Sequence, residues 1–217
     1  MAYHSLFTTY RSPPVRPTIY LASRSPRRRE LLKQVGVNFE IVLLREDVKR
    51  GADVDETPRP DENPELYALR VACDKAELGA RYTGRRAWLT RPVLAADTTV
   101  VCDGRIFGKP TDREDAFRIL KTLSGRQHEV ITGVAMAAAE RLEQAVSLSR
   151  VWFRALTDEE IGRYVATGEP LDKAGAYAIQ GRAAAFTTRI EGSFSGIMGL
   201  PLAETADLLN RFGIETV

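Results

Sequence analysis

The chain has 217 residues, of which 44% are apolar and 28% charged, a composition that is ordinary for a globular protein and excludes a disordered or fibrous one. Its 31 basic and 29 acidic residues leave a formal charge of +2, which argues against a general nucleic-acid binder because such proteins carry a large basic excess. No apolar run approaches the roughly 18 residues that span a bilayer, and two cysteines and two histidines indicate neither a disulfide framework nor a His-based zinc site. We therefore expect a cytoplasmic protein away from membranes, whose metal would be a hard cation held by carboxylates.

The first 17 residues differ from the rest of the chain. They contain scattered Arg and Pro but no apolar segment of the kind found in a secretory signal, so we interpret residues 1–17 as a flexible extension. Residues 18–217 are then long enough for one domain.

The domain is predicted to begin with a strand, a turn and a helix. The apolar run 18–22 predicts a buried strand. Ser25 as N-cap, Pro26 at the first helical position and Gly36 beyond the end predict the helix that follows. Residues 38–42 predict a second strand, and the polar loop 43–62 is too long for a mere connector.

The middle of the chain predicts a helix, a hairpin and another helix. Residues 92–101 form an apolar strand that turns at Asp103-Gly104 into residues 105–107. A helix then begins at Asp112 and stops at Gly125, with Phe117, Leu120 and Leu123 pointing inward. The helix that precedes the hairpin starts at Asn63. We predict that its core-facing residues are Leu66, Leu69, Cys73, Ala76 and Ala80.

The second half adds two long paired strands, at 128–138 and 145–154, and two helices. Thr157 and Glu160 form a capping box that opens a helix ending at Gly168, and a last helix is expected near 201–212. Because hairpins alternate with helices, the sequence predicts an α/β fold with a mixed twisted sheet and flanking helices.

The turn at residues 23–29 is a candidate anion site. The N–H groups at a helix N-terminus attract anions, whereas Arg27, Arg28 and Arg29 in the same first turn oppose the helix dipole unless an anion neutralises them. Arginine forks suit phosphate oxygens. The alternative is a capped helix with solvated arginines.

Two further segments carry candidate chemistry. Asp97 interrupts an apolar strand, where a carboxylate would hold a divalent ion, take a proton from water, or be hydrogen-bonded to local backbone. Residues 168–181 contain three glycines with Asp172, Lys173 and Gln180, which indicates either a pocket-lining loop or a purely structural one. Gln180 can both donate to and accept from the edge of a base. The sequence lacks a P-loop and a GxSxG elbow.

Taken together, these segments resemble the Maf family of nucleotide pyrophosphatases. The pieces run in family order from about residue 19 to the C-terminus. They are Ser23-x-Ser25-Pro26-Arg27-Arg28, Arg70-x-x-x-x-Lys75-Ala76, Ala96-Asp97-Thr98, Gly108-Lys109-Pro110, His128-x-Val130-x-Thr132-Gly133, Glu169-Pro170-Leu171-Asp172-Lys173-Ala174-Gly175, Ile179-Gln180-Gly181 and Gly199-Leu200-Pro201.

The resemblance implies hydrolysis of a nucleoside triphosphate between the α and β phosphates, in a two-lobed fold around a deep cleft and often in a homodimer. It implies catalytic roles for Asp97, Lys75 and Lys109, with Asp97 as proton acceptor. It also implies that Glu56 and Asp97 hold Mg²⁺ or Mn²⁺. The implied substrate-binding residues are Ser23, Arg27, Arg28, Thr98, Lys173 and Gln180.

Three positions bear on the base. Family members that prefer dTTP and UTP resemble this chain in having Arg27, Thr98 and Gln180, where members that prefer 7-methyl-GTP have Trp, Gln and Glu. A neutral Gln can pair with the O4 and N3–H edge of uracil or thymine. We therefore expect dTTP or UTP as substrate, a modified pyrimidine nucleotide being compatible, and a role in cleaning the nucleotide pool.

The chain departs from the family pattern in a few places, and alternatives stay open. The loop before Asp55 is longer than usual, so Glu46 or Asp47 competes with Glu56 as metal carboxylate, and Phe194 stands where many members have Tyr. The alternative functions are a 7-methyl-GTP pyrophosphatase and a regulatory inhibitor of septum formation, in cell-division arrest, that acts by protein contact. Single-strand nucleic-acid binding would need aromatics beside the arginines, so we expect no nucleic-acid partner.

Overall fold

The structure is a computed structural model that describes residues 18–45, 53–85 and 91–216. The predicted flexible extension, residues 1–17, lies outside these ranges, and so do Glu46 and Asp47, the alternative metal carboxylates. Within the described ranges, no helix has both the length and the apolar character that crossing a bilayer requires.

Seven strands of the described ranges form one mixed sheet, as the alternation of hairpins and helices predicts. Its order is β2-β1-β3-β5-β6-β7, with β4 also paired to β3. Strands β1, β2 and β3 are parallel, and the remaining pairs are antiparallel. The strand bounds are β1 Thr18–Leu21, β2 Asn38–Ile41, β3 Val93–Cys102, β4 Arg105–Phe107, β5 Gln127–Ala138, β6 Arg141–Phe153 and β7 Thr187–Glu191. The predicted hairpin at Asp103-Gly104 and the long paired strands are confirmed, whereas β7 was not predicted.

The described residues form six α-helices, of which five begin close to their sequence signals and α5 was not predicted. Ser25 caps α1 by accepting from the Arg28 N–H, Asp112 caps α3, and Thr157 with Glu160 forms the predicted capping box of α4. The helix bounds are α1 Pro26–Gln34, α2 Pro64–Arg85, α3 Arg113–Leu123, α4 Asp158–Ala166, α5 Phe194–Ile197 and α6 Leu202–Arg211. Three 3₁₀ turns, Glu169–Asp172, Ala174–Ala176 and Arg182–Phe186, lie between α4 and β7.

Strand β3 lacks a neighbour along the middle of one edge. Strand β5 pairs along one edge from Val93 to Val101. The other edge is shared by β1, which pairs only with Val93 and Leu94, and by β4, which starts pairing at Val100. No described strand pairs with residues 95–99 on that edge, so the sheet is open beside Asp97.

The helices cover the two faces of the sheet unequally. Helix α2 packs on the face that carries Val93 and Ala95. The other face is covered in two parts, by α1 with α6 and by α3 with α4. The apolar cluster under α1 and α6 is separated from the one under α3 and α4 by Thr98 and Thr132. The hydroxyl oxygens of these two residues lie 3.0 Å apart. A polar seam therefore crosses this face at the level of the open edge.

The inner face of α2 is predicted only in part, because Ala76 is fully buried as predicted whereas the leucine side is wrong. Leu66 is 62% exposed, and Leu69 and Cys73 are only partly buried. The residues that face the sheet are Tyr67, Ala68, Val71, Ala72 and Ala76. The helix lies so close to β5 that a Cβ on Gly133 would come within 2.4 Å of the Ala68 carbonyl oxygen. This close approach favours the alanine side of the helix over its leucine side.

Candidate active site

A cavity of about 630 Å³ opens where β3 has no neighbour. It is lined by residues on both sides of the strand, including Asp97, Thr98 and Thr99. The ten residues to which the resemblance assigns roles all line this one cavity. They are Ser23, Arg27, Arg28, Glu56, Lys75, Asp97, Thr98, Lys109, Lys173 and Gln180.

Lys75 lies between two carboxylates at the floor of the cavity. Its Nζ is 2.8 Å from Asp97 Oδ1 and 2.9 Å from Glu56 Oε1. Burial of the ammonium lowers the pKa of Lys75, but Asp97 and Glu56 outweigh it and the net pKa is raised. Asp97 is only 8% exposed, and an ion pair is what a carboxylate at that depth requires. The alternative of an Asp bonded only to local backbone is therefore wrong.

Glu56 is held in place by the loop that carries it. The hydroxyl of Tyr67 donates to the Glu56 carbonyl oxygen at 2.9 Å. Arg70 donates to both carboxylate oxygens of Glu62, at 2.7 and 2.9 Å, and to the carbonyl oxygens of Asp55 and Thr57. Because a bidentate Arg–carboxylate pair fixes geometry as well as charge, α2 fastens this loop on both sides of Glu56.

The arginine turn is tied to the opposite wall of the cavity. Arg28 Nε donates to the Gly199 carbonyl oxygen at 2.7 Å, while its Nη atoms donate to Ser23 Oγ at 3.3 Å and to Thr98 Oγ1 at 3.2 Å. Gly199 has φ +109, and a Cβ there would lie 3.5 Å from Arg28 Nε. Arg28 thus connects α1, β3 and the segment after α5, rather than projecting into solvent.

Other polar side chains reach the cavity with their polar ends available. Arg27, Lys109 and Gln180 line it, and none of them makes a side-chain hydrogen bond or ion pair to another residue in the described part of the chain. Lys173 contacts Asp172 and donates to the Glu169 carbonyl oxygen at 3.1 Å. The cavity wall therefore carries hydrogen-bond donors that no described residue occupies, next to the Lys173 ammonium, which is already bonded.

The charge of the cavity is positive although the whole chain is nearly neutral. Six of its lining side chains are basic, and three are acidic. The excess of three positive charges is concentrated in a recess, where low-dielectric walls strengthen the attraction of anions. The basic residues are Arg24, Arg27, Arg28, Lys75, Lys109 and Lys173, and the acidic ones are Glu56, Asp97 and Asp172.

The carboxylates of Glu56 and Asp97 fit a divalent cation as a partial ligand set. The Lys75 ammonium occupies the point on which both converge, so an added cation would bind at the carboxylate oxygens that Lys75 does not contact. Mg²⁺ commonly binds through one or two carboxylates and completes its shell with water and phosphate oxygens. No group of three or more His, Cys, Asp or Glu side chains in the described residues forms a metal cage without a substrate.

Several supporting residues were not found from the sequence. Arg70 was part of a motif but had no assigned role, and Tyr67 and Glu62 were not singled out. Tyr164 was not singled out either, and Glu169 was part of a motif without an assigned role; both lie behind the Gln180 turn. The local sequence has no signal for them, because each acts through a partner far away in the chain or through main-chain groups.

This chain is similar in sequence to three curated proteins named dTTP/UTP pyrophosphatase. It is 56% identical to that of Aromatoleum aromaticum, covering 92% of this chain and 98% of the relative. It is 55% identical to that of Nitrosospira multiformis, with coverage of 90% and 95%. It is 52% identical to that of Dechloromonas aromatica, with coverage of 90% and 97%.

A solved structure and a protein-family model also match most of the chain. The fold is similar to that of a HAM1 protein from Coxiella burnetii at 16% identity and a TM-score of 0.49, covering 90% of this chain and 99% of that one. Residues 18–212 match the family described as Maf-like protein. This match spans the strand–turn–helix unit, the Asp97 strand and the Gln180 turn, so the chain belongs to the Maf-like protein family.

Proposed function

We propose that this chain is a nucleoside triphosphate pyrophosphatase that hydrolyses dTTP and UTP to the monophosphate and pyrophosphate. One observation carries the proposal: the carboxylate pair around Lys75 and the Arg28 turn face one positively charged cavity. The names of the relatives agree with this substrate class.

The cationic groups suit the triphosphate. A nucleoside triphosphate is a polyanion, and Arg27 and Lys109 offer it donors that no described residue occupies. Ser23 and Arg28 stand at the N-terminus of α1, where the helix dipole adds to the attraction. We assign these residues and Lys173 to the phosphates.

Asp97 is the proposed proton acceptor. Water attacks the α-phosphorus, the bond from that phosphorus to the bridging oxygen breaks, and pyrophosphate leaves with the bonding electrons. The proton of the attacking water passes to Asp97, whose Oδ1 is held by Lys75 and whose Oδ2 contacts no donor within the described residues. Lys75 holds this carboxylate in place by an ion pair, and the cationic wall stabilises charge that develops on the phosphates.

Glu56 and Asp97 are the proposed ligands of Mg²⁺ or Mn²⁺. When bound, such an ion neutralises phosphate charge and increases the acidity of nearby water. Tyr67 and Arg70 contribute indirectly, because they hold the loop that carries Glu56. The cation requirement, the two-lobed shape, the homodimer and the cytoplasmic location are parts of this proposal.

Gln180 is the proposed reader of the base. It lines the same cavity as Arg27 and Thr98, and its amide is uncommitted within the described residues. An amide can donate to O4 and accept from N3–H of uracil or thymine. No observation favours the 7-methyl-GTP branch, a septum-formation inhibitor or a nucleic-acid partner.

Pyrophosphate release from a panel of dTTP, UTP, CTP and 7-methyl-GTP tests the proposal. We expect release from dTTP and UTP with Mg²⁺ or Mn²⁺, and loss of release after chelation. Absence of activity on every member would contradict the enzyme function. A preference for 7-methyl-GTP would overturn the substrate assignment, and activity that survives chelation would overturn the cation requirement.

A further inference from the structure

Tyr164 connects two segments behind the cavity. It lies on α4, is 4% exposed and does not line the cavity. Its hydroxyl donates to Glu169 Oε1 at 2.9 Å and accepts from the Ala178 N–H at 3.2 Å. One buried hydroxyl therefore connects the carboxylate of Glu169 to the main chain two residues before Gln180.

Glu169 holds the other side of the same turn. Its Oε1 and Oε2 accept from the Arg182 N–H at 3.1 and 3.3 Å. The carboxylate lies directly against Gly181, where a Cβ would come within 2.2 Å of Oε1. A Cβ at residue 181 would therefore displace the Glu169 carboxylate from this contact.

These contacts bracket Gln180 without touching its side chain. Ala178 and Arg182, two residues before and two residues after it, are both bonded to the Tyr164–Glu169 pair. Within the turn, the Gly181 N–H also donates to the Ala178 carbonyl oxygen at 2.9 Å. The main chain of the turn is fixed, while Gln180 lines the cavity and its amide has no partner in the described part of the chain.

The same residue is also connected to the phosphate side of the site. Lys173 Nζ donates to the main-chain carbonyl oxygen of Glu169 at 3.1 Å. The position of Glu169 thus sets both a cation assigned to the phosphates and the turn assigned to the base. The Glu169 side chain hydrogen-bonds only with Tyr164 and the Gln180 turn among the described residues, whereas Lys173 bonds to its main chain. A change of this side chain therefore tests the turn without removing the Lys173 contact.

We propose that Tyr164 and Glu169 are positioning residues that set base selectivity by fixing the Gln180 turn. This inference rests on the proposed function. A Gln amide adds affinity for a base edge only where the main chain holds it within hydrogen-bond distance, so displacement of the turn would weaken the pairing with uracil that favours UTP over CTP. A purely structural pair would affect stability and leave the ratio between substrates unchanged.

The test compares kcat and KM for UTP and CTP in three variants of the full chain. Tyr164→Phe removes the hydroxyl and keeps the ring, which packs against Phe186 at a centroid distance of 5.2 Å. Glu169→Gln keeps the size of the side chain and removes its charge. Glu160→Gln is the control. Glu160 lies on the same helix as Tyr164, accepts charge-assisted hydrogen bonds from Arg154 and does not line the cavity.

We expect Tyr164→Phe and Glu169→Gln to lower the UTP-to-CTP ratio of kcat/KM by about fivefold to tenfold, the range of one hydrogen bond. Most of the change should be a higher KM for UTP, with kcat nearly unchanged. Glu160→Gln should keep the native ratio even if its melting temperature falls equally. Melting temperatures are measured for all three variants.

An unchanged ratio in Tyr164→Phe and Glu169→Gln, with native enzyme active, would overturn this inference and leave the proposed function intact. A ratio lowered equally in Glu160→Gln would also overturn it, since loss of stability would then explain the effect. If either Tyr164→Phe or Glu169→Gln does not fold, the ratio measured in the other variant tests the inference. No activity of the native chain on either substrate would instead contradict the proposed function.

Discussion

Lys75 Nζ and Asp97 Oδ1 are 2.8 Å apart, although one residue lies on α2 and the other on β3. They meet because α2 packs on the face of the sheet to which Asp97 points, beside the stretch of β3 that has no neighbouring strand. A carboxylate that would be costly in an apolar strand is thereby paired with an ammonium group and lines the cavity.

Asp97→Asn should lower kcat by at least about a hundredfold, the low end of what a positioned general base contributes. The amide cannot accept the proton from water, but it has the same shape and leaves Lys75 paired with Glu56. Pyrophosphate release and thermal unfolding are measured together. Asp158→Asn, an exposed Asp that pairs with Lys121 outside the cavity, is the control. Native turnover of folded Asp97→Asn would contradict the assignment of Asp97 as base.

Arg28→Lys should raise KM for UTP by about tenfold or more, although the charge is kept. Lysine cannot reproduce the planar fork that reaches Gly199, Ser23 and Thr98 together. Arg29→Lys is the matched control, because Arg29 is in the same helical turn and does not line the cavity. Steady-state kinetics on both variants checks this, and equal effects would show that charge alone matters.

Gly175→Ala should destabilise the fold by about 1–3 kcal/mol. Gly175 has φ +68, and a Cβ there would come within 2.6 Å of Val100 Cγ2. Urea unfolding measures the change in the free energy of unfolding. Gly84→Ala, at a helical position with no heavy atom within 4 Å of the added Cβ, should instead stabilise the chain by up to about 1 kcal/mol. Loss of stability in both variants would contradict this explanation.

Stability should fall as the pH falls from about 6.5 to about 4, because of His128. Burial lowers the pKa of His128 from 6.5 to about 4, so in this range the unfolded state binds a proton that the folded state does not. The contribution is present above pH 6.5 and lost towards pH 4, and it amounts to about 3 kcal/mol.

The free energy of unfolding, measured in urea between pH 4.5 and 7, tests the His128 prediction. His128→Phe removes the titrating ring, and it also removes the contact of Nε2 with the Tyr177 hydroxyl. The variant will be less stable at pH 7, but its stability should depend much less on pH. Carboxylates with a low pKa, such as Glu62 and Glu160 at about 2, act mainly below this range. Equal slopes for native and variant chains would contradict the prediction.

Local signals predicted most elements of the fold. A side chain that caps a helix acts within three residues, so Ser25, Asp112 and Thr157 marked their helices correctly. The face of α2 could not be read in this way. It depends on Gly133, 65 positions away from Ala68, where the missing Cβ allows the helix to approach β5. Strand β7 was missed because the short segment TTRIE lacks an apolar alternation.

For the site as well, the residue types could be predicted from the local sequence, whereas their partners from distant parts of the chain could not. Residue types at β3 and at the arginine turn indicated a carboxylate and an anion site, and both lie at one cavity. The groups that hold Asp97 and Arg28 come from elsewhere in the chain: Lys75 comes from α2 and Gly199 from the segment after α5. Such pairings follow from the topology of the sheet, which no local pattern specifies.

The position of ¹⁸O after hydrolysis of UTP in H₂¹⁸O tests the central claim most directly, because it shows which phosphorus the water attacks. The products are separated and analysed by mass spectrometry. We predict one ¹⁸O in UMP and none in pyrophosphate, as attack on the α-phosphorus requires. Label in pyrophosphate with unlabelled UMP, or release of inorganic phosphate with UDP, would contradict the proposed reaction.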